Sequence, residues 1–197
     1  MTHLTTTLES RLFGRYWDDG LLDLFAGIAT LGIGVLWAVD LVAIGAAVPA
    51  MLAGLWVPLR RALVEPRAGH VEFSDARTGR NRRLLVGNAV LGLLTLALFA
   101  GLTVAVRSGP LALLSVIGPG IPAFLLALLA ALTGWGLGLP RFLGYAAALC
   151  LAGAGAALAD AEPELAILAG GLVIALSGGW RLGRFLRIPV DHAEGSE

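Results

Sequence analysis

The chain has 197 residues, 57% of them apolar before its 27 glycines are counted and only 14% charged. Soluble domains run at roughly 45–50% apolar with glycine included and about 25% charged, so a soluble globular composition is excluded. The 14 basic and 14 acidic residues cancel, which removes any global electrostatic case for nucleic acid and leaves only the placement of charge to inform.

Every basic residue is Arg, so lysine chemistry is absent. The single Cys150 allows no intrachain disulfide and, inside an apolar run, reads as a small packing residue. Residues 1–19 lack the basic start and small-residue cleavage site of a signal peptide. Leu4, Leu8, Leu12 and Tyr16 recur at helical spacing beside Trp17, which predicts an N-terminal interfacial helix.

Residues 20–59 are almost continuously apolar. As one helix they would reach about 60 Å, twice the thickness of a bilayer core. The run therefore divides at Asp40 into spans at about 21–39 and 41–59. Asp40 is expected to cap the second helix and Pro49 to kink it. Asp18, Asp19 and Asp23 crowd the start of the first span, where acids suit the positive end of the helix dipole.

Arg60, Arg61, Arg67, Arg77, Arg80, Arg82 and Arg83 fall within residues 60–83. At roughly 2.5–3.5 kcal/mol per Arg at a helix centre, this segment stays in water. Pro66-Arg67-Ala68-Gly69 reads as an extended turn and Val71-Glu72-Phe73 as a short strand. Such a loop would present Arg67, Arg77, Arg80, Arg82 and Arg83 to anionic lipid or phosphate.

A third span follows at 84–106, with Asn88 as a candidate helix-to-helix hydrogen bond. Gly118-Pro119-Gly120-Ile121-Pro122 breaks the next apolar run, so the fourth span is set at 122–138, Pro122 suiting a first helical turn. Residues 111–117 are left as an interfacial or re-entrant piece. The fifth and sixth spans are 142–159 and 165–180, separated by Asp160, Glu162 and Glu164. A helical extension beyond Trp180 carries Arg181, Arg184 and Arg187, Pro189 stops it, and 189–197 is a polar tail.

The expected fold is all-α: a polytopic transmembrane helical bundle of six spans in three hairpins. With both termini cytoplasmic, every Arg but Arg107 falls on the inner side, a strong positive-inside signal for a multi-pass protein of the inner cell membrane. Helix pairing in lipid rests on close backbone approach. Candidate rows are Ala26, Thr30, Gly34 and Ala38; Gly144, Ala148, Ala152 and Ala156; and Gly171, Ala175, Gly179 and Gly183.

Catalytic chemistry finds no purchase. Asp23 and Asp40 sit at span ends, and His3, His70 and His192 lie in water-side segments, so no catalytic, metal or cofactor residue is assigned. Pro66-Arg67-Ala68-Gly69-His70-Val71-Glu72-Phe73 after two spans, with Gly178-Gly179-Trp180-Arg181-Leu182-Gly183-Arg184-Phe185-Leu186-Arg187 before Pro189, resembles a set of small bacterial multi-pass membrane proteins of unknown function. That resemblance implies no activity.

The expectation is a scaffold or accessory subunit without enzymatic activity. Its partners would be membrane lipids and a membrane-protein partner or second copy, not nucleic acid. The alternative is a small-solute transport subunit with a site at 117–122, like the interrupted helices of transporters.

Overall fold

A computed structural model of the chain describes residues 19–68 and 117–187. The described residues are helical, in five long elements: α1 (Leu21–Ala38), α2 (Val42–Leu63), α3 (Ile121–Leu137), α4 (Arg141–Leu158) and α5 (Pro163–Leu186). Each belongs to a helical stretch long and apolar enough to cross a membrane. In hydrocarbon only internally hydrogen-bonded backbone is tolerable, which is why such apolar runs settle as helices. The N-terminal interfacial helix, the third span at 84–106 and the polar tail lie outside the described residues.

Three of these helices end in one device. At the ends of α1, α3 and α4 the chain turns through a left-handed residue, Asp40 (φ 61°), Gly138 (φ 68°) and Asp160 (φ 49°). The next amide then reaches back five residues: Leu41 N–H donates to Leu36 O, Leu139 to Gly134 O and Ala161 to Ala156 O, at 2.7–2.9 Å. This is the Schellman closure, which satisfies carbonyls the helix leaves open. Asp40 thus terminates α1 and does not cap α2. Leu41 precedes α2, with no side-chain cap, because the left-handed position belongs to the turn.

Other boundaries move for identifiable reasons. The second helix runs on through Arg60 and Arg61 to Leu63, and Glu65–Ala68 forms a further helical turn where an extended one was expected. The basic segment therefore begins as helix. Gly118–Gly120 forms a 3-10 turn that leads directly into α3, so the proline-glycine cluster stands at the start of this helix. The sixth span and its extension are one helix, α5, of 24 residues or about 36 Å. Cys150 is exposed and takes no part in the core.

The helices are antiparallel neighbours in the spatial order α2, α1, α5, α4, α3, with α1 against α5 the most extensive interface. Along it Gly20 meets Leu182, Gly178 meets Leu24, Gly27 meets Ala175, Gly171 meets Leu31, and Gly34 meets Leu168. A Cβ on Gly27 or Gly178 would collide with the opposing backbone. Gly153 on α4 and Gly120, just before α3, approach the same way, near the buried Ala123, Ala156 and Ala166.

Candidate functional site

The antiparallel order brings the start of α1, the end of α2, the start of α4 and the end of α5 to one end of the bundle. Every described arginine lies at that end: Arg60, Arg61 and Arg67 at and beyond the end of α2, Arg141 opening α4, and Arg181, Arg184 and Arg187 closing α5. At the other end are the turns carrying Asp40, Asp160 and Glu162, with Glu164 just beyond.

Inside the basic end is a buried charge cluster. Asp23 is fully buried in the first turn of α1, and Arg141 Nε donates to its Oδ1 at 2.9 Å. The Tyr145 hydroxyl and the Arg181 guanidinium flank the same carboxylate. Tyr145 also shares a 3.0 Å hydrogen bond with Ser177. Asp19, 1% exposed, accepts the Leu21 amide at 2.8 Å on Oδ1 and pairs through Oδ2 with Arg60 at 3.4 Å.

The Arg60 guanidinium also sits over the Trp56 ring at 5.5 Å, and Trp56 meets Phe25 edge to face. Burial pushes the Asp19 carboxyl above the usual carboxylate range, opposed by the Leu21 amide and by Arg60 and Arg141.

The two ion pairs tie together three helices: Asp23 with Arg141 joins α1 to α4, and Asp19 with Arg60 joins the entry of α1 to α2. The sequence offered these acids only as dipole partners for a helix start, because Arg60 lies at the far end of the following helix and Arg141 on another hairpin. A usable signal did exist: acids and arginines bound the same ends of spans that must fold back on one another. In such burial, removing one charge costs more than the pair contributes. The cluster is a clasp that holds the helix ends together. Among the described residues, no three His, Cys, Asp or Glu converge on a metal position.

Of the candidate lipid-contacting arginines, Arg67 is described: its Nη1 donates to Leu63 O at 3.1 Å within the helical turn. Arg77, Arg80, Arg82 and Arg83 lie outside the described residues. Of the candidate packing residues, Gly171 and Ala175 lie on the α1 seam, whereas Gly179 only grazes Leu24. Gly144 and Gly183 face open space. Ala148 and Ala152 are half-buried. Of the expected α4 row Ala156 is buried, and the α4 contact face otherwise comprises Tyr145, Leu149 and Gly153.

At residues 117–122, the alternative transport site, Ile117 is exposed and Gly118 faces open space, whereas packing is tight at Gly120. A Cβ on Gly120 would strike Gly153 O and the Phe124 ring, and Ala123 is wholly buried. A shallow apolar groove of about 490 Å³ lies elsewhere, at the α3–α4 turn, lined by Leu128, Leu132, Trp135, Pro140 and Leu143 among others. Trp135 there is 81% exposed. Comparison with family models, with curated proteins and with solved structures returns no match.

Proposed function

We propose that this chain is a multi-pass protein of the inner cell membrane without enzymatic activity, a scaffold or accessory subunit whose basic cytoplasmic face engages anionic lipid headgroups. The observation that carries this reading is the gathering of all described arginines at one end of the bundle. Positive charge marks the cytoplasmic side of short membrane segments, and a polybasic cytoplasmic face gains roughly 1 kcal/mol per Arg near an anionic surface.

Residues 19 and 187 lie at this same end, which supports a cytoplasmic placement of both termini. Residues 68 and 117 lie at opposite ends, which supports one further crossing by the apolar run 84–106 and hence six spans. The close packing around Gly120 favours a scaffold over a transport subunit, and the buried clasp favours a rigid inner end.

The test uses the whole protein in nanodiscs of neutral lipid, presented to anionic vesicles. Co-sedimentation is expected at low salt and should fall steeply with ionic strength. The triple change Arg80→Ser, Arg82→Ser and Arg83→Ser should weaken it. Equal sedimentation with and without those three arginines would remove the loop from its role. Reporter tags at the two ends found on opposite faces would overturn the topology.

A further inference from the structure

The described arginines of the basic end divide by where their charge is spent. Arg60 and Arg141 turn inward onto Asp19 and Asp23, and Arg181 flanks Asp23. Arg184 and Arg187 turn outward and are exposed. The Arg184 guanidinium lies 5.1 Å from the centre of the Trp180 ring, and Trp180 is itself 64% exposed. Toward the other end the same outer face continues with the exposed Leu176, Val173, Leu172 and Leu165. The opposite face, with Ala166, Ile167, Gly170, Gly171, Ile174, Gly178 and Leu182, is buried against α1 and α4.

From this division we infer that the outer face of α5 is a binding site for one anionic glycerophospholipid of the cytoplasmic leaflet. Its phosphate is held by Arg184 and Arg187 and an acyl chain lies along Trp180, Leu176 and Leu172. The chemistry decides the occupant. A guanidinium stacked on an indole keeps its edge donors free for a planar, bidentate grip on phosphate, and an exposed Trp at a helix end marks headgroup depth. Leucines one turn apart above it give an apolar track about 6 Å per step, which a hydrocarbon chain can follow.

The buried Asp19 and Asp23 of this end are already matched to arginines within the clasp, so they do not compete for Arg184. The inference deepens the anionic-lipid reading above, but it places a lipid on the wall of the bundle, where the loop of residues 77–83 is not needed.

Tryptophan quenching reads the site directly. In protein carrying Trp180 as its only tryptophan, the others changed to Phe, reconstituted vesicles contain a minor fraction of brominated phosphatidylglycerol in unlabelled phosphatidylcholine. Quenching should report an enrichment of about fivefold over the bulk mole fraction, the bias one interfacial Arg supplies. Changing Arg184 and Arg187 together to Gln should return it to the bulk value and Arg184→Gln alone should lower it, whereas the Ser triple at Arg80, Arg82 and Arg83 should leave it unchanged. Brominated phosphatidylcholine should show no enrichment.

Native mass spectrometry of the unaltered-tryptophan protein is the second readout: it should retain phosphatidylglycerol, Arg184→Gln should retain less, and the paired change of Arg184 and Arg187 should lose it. Quenching at bulk mole fraction in the parent protein, or enrichment and retention indifferent to Arg184→Gln, would overturn the proposal. Enrichment abolished by the loop triple alone would do the same while leaving the loop reading intact. Co-sedimentation unaffected by the loop triple, with the enrichment intact, would sink the loop reading and not this one.

Discussion

The α1–α5 seam and the outer face of α2 are built from the same kinds of residue and behave oppositely. Both are rich in Gly and Ala. On the seam those small residues let two backbones touch, as at Gly27 with Ala175 and Gly178 with Leu24. On α2 the exposed face carries Ala43, Ala47, Ala50 and Gly54, and nothing described approaches Gly54. Smallness in a membrane helix is an opportunity for contact and becomes an interaction only when another helix occupies the space. The clasp makes the contrast sharper, because it locks the basic end of the seam with buried charge.

The largest effect should come from breaking that lock. Arg141→Ala leaves Asp23 buried without its hydrogen-bonded partner and should cost about 3–5 kcal/mol, read as a lower unfolding midpoint in detergent. Replacing both partners by apolar residues, Asp23→Leu with Arg141→Met, should recover most of the loss. A double variant no better than Arg141→Ala alone would mean that the pair acts through something other than charge burial.

Next in size, Gly178→Ala forces the α1 backbone away and should cost about 1–3 kcal/mol. Gly54→Ala on the open face should stay within about 0.5 kcal/mol. Equal losses at the two glycines would erase the distinction between seam and outer face.

Gly138→Ala isolates backbone conformation from packing, since nothing lies where its Cβ would go. The left-handed angle alone should cost about 1–2 kcal/mol, seen in the same unfolding measurement. A smaller, pH-dependent difference should separate Asp19→Asn from the parent. Because burial raises the folded-state pKa of Asp19, the folded chain holds a proton that the unfolded chain has released. The Asp19 contribution to stability therefore falls as pH climbs from 3.8 through the raised value. The Asn variant should lack that decline.

Much of the architecture could be read from residue order. The start of α1 at Leu21 and the ends of α3 and α4 at Leu137 and Leu158 lie within a residue of where the apolar runs stop. What the sequence hid is register. A row of every fourth residue drifts around a helix of 3.6 residues per turn, so Gly171 and Ala175 stay on the seam, but the next contact is Gly178 and not Gly179. On α4 nearly every position is small and apolar, so periodicity gave no reason to choose Gly144 over Tyr145 as the contact face.

The clasp was hidden for a related reason. Asp23 and Arg141 meet only because α1 packs beside α5 and α5 beside α4, a neighbour order that no local spacing encodes. Asp40 looked like a helix start because acids usually serve there, and its left-handed turn was set by the need to close the carbonyls of α1.

The separation of arginines to one end and turn acids to the other also makes the bundle an electric dipole one membrane thick. In a bilayer polarised negative on the cytoplasmic side, that dipole has a preferred direction. Turning it over would carry each charge through the field at roughly 2.3 kcal/mol per elementary charge per 100 mV. A voltage negative on the arginine side would thus favour this orientation, and collapse of the potential would remove that bias without altering a single contact.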